Sequence, residues 1–303
     1  DEVYRTQGRA ALQYGPSSGY LPLREKLAQR LTGQGIACTA ENILMVSGSQ
    51  QGLDLAGKVF LEPGDLVVCE NPTYLAALTV FRSYECGLLP IETDDDGMVP
   101  EDLERKLAAN PKARLMYIIP SFQNPTGRTW SLERRGKILE IVQRYELPIL
   151  EDNPYGELRY EGETIPTLKS MDTAGVVTYM GSFSKVLSPG IRLGWMLASR
   201  ELIEKYESAK ECADLQASTL TQMVVDTYLA HNDLDENIRC LNGLYRGRRD
   251  KMLGLLAAEF PKGSRWTHPC GGLFLWVTLP EGIDTDALLS AAVAHKTAYI
   301  PGR

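Results

Sequence analysis

Leu147-Pro148-Ile149-Leu150-Glu151-Asp152-Asn153-Pro154-Tyr155 runs from an apolar stretch straight into carboxylates, an amide and a phenol. A short continuous apolar run reads as a strand buried on both faces, the habit of parallel sheets, and this one delivers a carboxylate and then a phenol at its C-terminal end. In open α/β sheets that end is where ligands bind. Outward from it, strand candidates at 43–46, 66–70, 87–92, 114–119, 147–151, 176–181 and 192–198 alternate with helical stretches near 50–60, 74–84, 100–109 and 131–145. Such alternation predicts an α/β fold with a mostly parallel, seven-stranded sheet sandwiched by helices. Beyond it, 200–231 and 235–259 are helical in period, with Asn232 and Asp233 breaking between them. A strand pair around Trp266 and Leu273–Leu279, a helix from Asp284 to His295 and a last strand Ala298-Tyr299-Ile300 follow. The expected division is a large domain over 14–235 and a smaller α+β domain over 236–303, which also receives 1–13.

Other stretches bring polar groups to the same sheet edge. Leu115-Met116-Tyr117-Ile118-Ile119-Pro120 reads as a strand, and Ser121-Phe122-Gln123-Asn124-Pro125-Thr126-Gly127 after it offers Asn124. Between Ile43-Leu44-Met45-Val46 and a helical stretch from Leu53 to Phe60 lies Ser47-Gly48-Ser49-Gln50-Gln51-Gly52. A small-residue turn that opens a helix presents free N–H groups and a positive dipole end, which suit a phosphate. Val176-Val177-Thr178-Tyr179-Met180 leads into Gly181-Ser182-Phe183-Ser184-Lys185, with Arg192 seven positions past the lysine. Ser182, Ser184 and the guanidinium fork of Arg192 could together hold a phosphate dianion, within reach of an amine that attacks an aldehyde only in its neutral form. Taken alone, Ser-x-Ser-Lys after a strand reads equally well as an ordinary polar turn.

In this order, Gly48-Ser49-Gln50, Asn124-Pro125-Thr126-Gly127, Asp152-x-x-Tyr155 and Ser182-x-Ser184-Lys185 resemble the fold-type I pyridoxal 5′-phosphate enzymes of the class I/II aminotransferase family. Within it the chain is most similar to the branch of 2-aminoadipate and kynurenine aminotransferases. Each motif alone is weak; their joint order is specific, and the similarity runs from Tyr14-Gly15-Pro16 to Tyr299-Ile300-Pro301-Gly302. The resemblance implies that Lys185 is the Schiff-base lysine and the acid/base that moves a proton between Cα and C4′. It gives Asp152 the proton on the pyridine nitrogen, Asn124 and Tyr155 the ring 3′-oxygen, and Tyr74 a stacking place on the ring. It gives Ser49, Gln50, Ser182, Ser184 and Arg192 the phosphate, and it sends Tyr14 across a dimer interface to the neighbour's phosphate. Plainer roles exist for several of these: Asp152 could cap the next helix, Asn124 could be a turn residue, and Tyr155, Tyr74 and Tyr14 could simply pack. The activity implied is transfer of an amino group from an L-amino acid to a 2-oxo acid, with 2-oxoglutarate the expected acceptor, by a ping-pong cycle in a homodimer. Two alternatives stay open: a pyridoxal-phosphate-binding effector domain of a transcriptional regulator, and a pyridoxal-phosphate-dependent lyase on the same fold.

With 303 residues and 44% hydrophobic content, the chain can bury one large core and a smaller one. It has no run of about eighteen apolar residues and no charged-then-apolar leader, so the expectation is a soluble, cytoplasmic protein with no membrane partner. The net charge is −7, and the basic run Tyr245-Arg246-Gly247-Arg248-Arg249-Asp250-Lys251 spreads around more than one helical face, which argues against a nucleic-acid partner. Cys38, Cys69, Cys86, Cys212, Cys240 and Cys270 show no paired spacing, and His268-Pro269-Cys270-Gly271-Gly272 reads as a turn, so no metal is expected. Two departures from the family stand out. The chain begins close to Tyr14-Gly15-Pro16, so the family's leading helix is expected to be missing or very short. It ends at Pro301-Gly302-Arg303, ahead of the strand whose arginine grips the substrate α-carboxylate in relatives; Arg303 falls in the Pro-Gly loop, and the expectation is a fragment.

Overall fold

The computed structural model describes residues 1–302; Arg303, and the reading placed on it, lie outside the described residues. In chain order the first half runs α1 (Glu2–Ala11), α2 (Leu21–Gly33), β1 (Ile43–Val46), α3 (Ser49–Phe60), β2 (Leu66–Glu70), α4 (Leu75–Ser83), β3 (Gly87–Ile91), a small ribbon of β4 (Thr93–Asp94) and β5 (Gly97–Met98), α5 (Pro100–Ala109), β6 (Ala113–Ile118) and α6 (Leu132–Arg144). The second half runs β7 (Ile149–Asp152), α7 (Leu168–Met171), β8 (Val177–Ser182), β9 (Gly194–Leu197), α8 (Arg200–Asp214), α9 (Thr219–His231), α10 (Leu234–Glu259), a ribbon of β10 (Arg265–Trp266) and β11 (Val277–Thr278), and α11 (Thr285–Ala294). The seven-stranded sheet has the order β1-β9-β8-β7-β6-β2-β3. Its strands are parallel except β9, which runs antiparallel to both β1 and β8.

Helices cover both faces because the strands are apolar on both. Successive strand residues point to opposite sides. Val67, Leu115, Tyr117, Leu150 and Met180 belong to one buried cluster, with Leu53 and Leu55 of α3 and Phe81 of α4. Val68, Met116, Ile118 and Ile149 belong to the cluster on the other side, with Leu103 of α5 and Ile138 and Val142 of α6. The same alternation sorts the adjacent carboxylates that end β7. Glu151 turns to the α6–α7 side, where it accepts hydrogen bonds from the Leu168 and Lys169 amides at 3.0 and 2.8 Å. Asp152 turns to the other side, two residues on from Leu150.

Four expectations need correction. The helical period across 200–231 is broken at 215–218: Leu215 has φ 63°, and Ser218 caps a new helix by accepting from the Thr221 amide at 3.2 Å. No strand forms at 298–300; Tyr299 instead donates its hydroxyl to the Thr285 carbonyl at 2.6 Å, alongside α11. The strand pair near Trp266 shrinks to two residues a side. The segment before Tyr14 forms a ten-residue helix, and its packing differs from the expected place in the smaller domain. That helix, α1, buries Val3 and Ala11 against Met223 of α9, so 1–13 packs on an element inside the 14–235 stretch. Among the described residues, no helix is long and apolar enough to cross a membrane, and no group of three or more His, Cys, Asp or Glu side chains could hold a metal ion.

Candidate active site

The C-terminal ends of five parallel strands and the N-terminal end of the antiparallel one share an edge, which is why residues scattered through the chain meet there. β1 ends in Ser47-Gly48-Ser49, β2 leads to Tyr74, β6 to Asn124, β7 to Asp152 and Tyr155, and β8 to Ser182 and Lys185. β9 enters from that edge, so Arg192 lies just ahead of the strand rather than in it.

The first turn of α3 is built for close approach. Gly48 has φ 87°, and a Cβ there would stand 2.5 Å from Arg192 Nη2. Only glycine fits such a left-handed position with a guanidinium against it. Gly194 is equally confined: a Cβ would stand 3.0 Å from the Ser49 amide nitrogen and 2.9 Å from the Gly181 carbonyl. The start of β9 is therefore threaded between the α3 turn and the end of β8, bringing Arg192, Ser49 and Ser182 to one place. The N-cap of α3 is Gly48, which offers no side-chain oxygen to the helix's leading N–H groups. Those donors suit an anion. Ser182 Oγ accepts from the Ser184 amide at 3.0 Å and bends the chain toward Lys185. Lys185 is half-buried, and its ammonium has no hydrogen-bond or ion-pair partner among the described residues.

Asp152 is buried, and its two oxygens are treated differently. Oδ2 accepts from the Tyr117 hydroxyl at 2.9 Å, while Oδ1 is buried with no partner. Burial pushes the carboxyl up to about 7, partly opposed by the Tyr117 hydrogen bond. A buried acceptor without a donor costs about 1–3 kcal/mol, more for a charge. The Tyr155 phenol is likewise raised by burial and by the Asp152 charge, and its hydrogen bond with Asn124 works the other way. Its ring stands edge-on to Phe274, centroids 5.5 Å apart. The Tyr74 hydroxyl donates to Gln50 Oε1 at 3.4 Å; burial and Asp152 raise this phenol, and Arg192 lowers it.

The edge thus brings together Ser49, Gln50, Tyr74, Asn124, Asp152, Tyr155, Ser182, Ser184, Lys185 and Arg192. Tyr14 is 79% exposed and makes no side-chain hydrogen bond among the described residues, while the neighbouring Gly15 amide donates to Gln216 Oε1. Three residues that support the site went unread in the sequence. Tyr117 carries a hydroxyl in the apolar stretch of β6; it pairs with Leu150 in register and therefore shares a face with Asp152. Glu70, the last residue of β2, is fully buried and accepts from the Ile119 amide at 2.9 Å and Trp130 Nε1 at 3.0 Å, with burial pushing it up to about 8. Gln123 donates to the Pro72 carbonyl at 2.8 Å and accepts from Thr126 Oγ1 at 2.7 Å. Glu70 and Gln123 together fix the turn that carries Asn124. An acid closing an apolar strand was the available signal for Glu70.

These side chains fit pyridoxal 5′-phosphate. The donor that Asp152 Oδ1 lacks is what a protonated ring nitrogen supplies, the α3 turn with Arg192 and Ser182 suits a phosphate dianion, and the Lys185 amine is unengaged.

The Asp152 shift has a consequence for cofactor-free protein. Its folded-state pKa, about 7, lies above the unfolded value, so between the two the folded chain holds the extra proton and stability falls as pH rises from about 4 to about 7. The loss from this one carboxyl is roughly 4 kcal/mol. Glu70 and Glu151, both raised by burial, push the same way. Denaturant unfolding of cofactor-stripped wild type and Asp152→Asn isolates Asp152: the variant should gain on wild type as pH rises from 4 to 8. A gap that stays constant with pH would count against the buried, unpartnered carboxyl.

The family description "Aminotransferase class I and II" matches residues 2–301. The aromatic-amino-acid aminotransferase 1 of Thermococcus litoralis is 45% identical over 306 aligned residues, covering 99% of this chain and 73% of that one. The 2-aminoadipate transaminase of Thermus thermophilus is 38% identical over 304, covering 99% and 75%. Among solved structures, the kynurenine aminotransferase of Pyrococcus horikoshii, determined with PMP, superposes with a TM-score of 0.95 at 44% identity, over 99% of this chain and 75% of that one.

Proposed function

Because the chain belongs to the class I and II aminotransferase family, we propose that it carries the amino group of an L-amino acid to a 2-oxo acid in a ping-pong cycle, with 2-oxoglutarate as acceptor. It is an aminotransferase, and its cofactor is pyridoxal 5′-phosphate. The observation that carries the mechanistic reading is the buried, unpartnered Oδ1 of Asp152 at the edge where Lys185 and Arg192 also arrive.

The bound cofactor supplies an electron sink for the pair left on the substrate Cα when its proton departs. The protein's residues do the rest. Asp152 keeps the ring nitrogen protonated; Tyr117 holds that carboxylate in orientation through Oδ2 and leaves Oδ1 for the ring. Asn124 and Tyr155 would hydrogen-bond the ring oxygen, and Tyr74 would pack on the ring. Ser49, Gln50, Ser182, Ser184 and Arg192 would hold the phosphate and so fix the cofactor's position. Lys185 would supply the amine that holds the aldehyde carbon and, when free, the base that takes the substrate Cα proton and delivers it to that carbon.

The test is a panel of L-amino acids with the holoenzyme. A single addition of the right donor, without any 2-oxo acid, should convert the bound cofactor to its aminated form and release one equivalent of 2-oxo acid per site. 2-Oxoglutarate should then reverse the absorbance change. No conversion with any donor would favour a ligand-binding domain, and ammonia release without a stable aminated cofactor would favour the lyase.

We further assign 14–235 to a cofactor-binding domain and 236–302 to a smaller one; the two are tied where the Leu158 carbonyl accepts from the Gly272 amide at 2.8 Å and Arg159 bridges Gly271. All six cysteines are free thiols, which supports a reducing, cytoplasmic setting. The exposure of Tyr14, whose side chain is unbonded among the described residues, supports a homodimer in which it reaches the partner's phosphate. Co-expressing a Lys185→Ala chain with a Tyr14→Phe chain checks this. Mixed dimers should contain two classes of cofactor site, one with both native residues and one with neither, differing in affinity by about 10- to 100-fold, the worth of one charged hydrogen bond and more. A single affinity class, or a fully active monomer, would contradict it.

A further inference from the structure

Lys210, in α8, has no exposed side-chain area at all, yet it lies outside the set of residues that meet at the sheet edge. Hiding an ammonium costs several kcal/mol before any partner is found, and a buried ion pair seldom repays that as stability alone. Its partner is Asp214, one turn on in the same helix, with Nζ bonded to Oδ1. Local helix physics disfavours that pair. Asp214 is the last residue of α8, where the helix dipole is already negative, and the last turn carries no basic residue to compensate. An aspartate maintained there needs a use elsewhere.

Its other oxygen has one. Asp214 Oδ2 accepts from Gln51 Nε2 at 2.7 Å and from Ser47 Oγ at 3.3 Å. Gln51 in turn accepts the Ser47 amide at 2.9 Å through Oε1. Ser47 and Gln51 bracket Gly48-Ser49-Gln50, the turn at the start of α3 that Arg192 covers. One carboxylate from α8 thus pins both ends of that turn, but at a price in charge: it sets an anion beside an anion-binding site.

We propose that Lys210 and Asp214 form a positioning pair for the phosphate, in which Asp214 fixes the Ser47–Gln51 turn and the buried Lys210 cancels the negative charge that Asp214 would otherwise turn on the phosphate dianion. The proposal rests on reading the α3 turn as the phosphate cradle. It explains why a lysine is buried at 210, why an aspartate closes α8, and why the two occur together.

The pair is tested by the affinities of cofactor-stripped protein for pyridoxal 5′-phosphate and for pyridoxal, the same ring without the phosphate. Lys210→Met, which keeps the buried chain's bulk, should weaken pyridoxal 5′-phosphate binding on the order of tenfold, as expected for one uncompensated charge in a partly shielded site, and leave pyridoxal binding unchanged. The Lys210→Met, Asp214→Asn double variant should recover most of that loss. Should Lys210→Met not fold, Asp214→Asn decides by itself: Asn keeps an acceptor for Gln51 and removes the anion, so pyridoxal 5′-phosphate should bind at least as tightly as in wild type. Equal weakening for both ligands in Lys210→Met, no recovery in the double variant, or weaker phosphate-dependent binding in Asp214→Asn would overturn the proposal. Arg192→Leu is the control for the cradle itself. If it too fails to separate the two ligands, the cradle reading fails; if it separates them and Lys210→Met does not, only the pairing fails.

Discussion

Asp152→Asn should keep the cofactor bound and slow the amino-donor half-reaction about a thousandfold, ~4 kcal/mol of transition-state stabilisation. The reason is electrostatic. Asp152 is buried, one oxygen is satisfied by Tyr117 and the other has no protein donor. A protonated ring nitrogen beside it gains a charge partner in a poorly solvated place, and the ring can accept electrons only while that proton stays. Asparagine matches the shape but carries no charge, so the ring nitrogen loses its reason to be protonated. The phosphate grip at Ser49, Ser182 and Arg192 is untouched, and occupancy should persist. The measurement is the single-turnover rate at saturating amino acid, with occupancy read by absorbance. Turnover near wild type would mean that the ring nitrogen lies elsewhere. The same substitution should stabilise cofactor-free protein above neutral pH, so one variant is expected to gain in folding and lose in catalysis.

The second large effect is at Lys185. Replacing it with Ala should remove the covalent anchor and the group that moves the Cα proton, lowering transamination on the order of 10⁴-fold or more. The fold should survive, because the side chain makes no hydrogen bond or ion pair among the described residues. Cofactor should still bind through the phosphate and ring contacts, with weaker retention on gel filtration than wild type. Measurable turnover in Lys185→Ala within tenfold of wild type would exclude it as the proton carrier.

The sheet was legible because its strands obey a simple rule. Ile43–Val46 is apolar throughout, Leu66–Glu70 and Ile149–Asp152 are apolar up to the carboxylates that close them, and all seven strands of the sheet lie where such runs are. The residues at their ends could be read because chemistry at a parallel sheet concentrates at one edge. Tyr117 and Glu70 were not readable in that way. A strand's period of two says which residues share a face, but the neighbour each one meets is set by register: Tyr117 beside Leu150, Glu70 beneath the Ile119 amide. The break at 215–218 hid inside a continuing helical period, since it depends on the backbone conformation of Leu215 and on the Ser218 cap. Ala298-Tyr299-Ile300 has strand composition but pairs with no strand among the described residues, and Tyr299 turns to the Thr285 carbonyl instead. Lys210 looks in the sequence like any lysine on a charged helix; only the packing of α8 in the fold makes it buried.

The most direct measurement is reduction of the holoenzyme with borohydride, followed by proteolysis and mass mapping. The pyridoxyl mass should appear on the peptide containing Lys185, between Ser184 and Val186, at about one equivalent per subunit. Label on another lysine, the buried Lys210 included, or no label on protein that binds the cofactor, would contradict the assignment of this sheet edge as the active site.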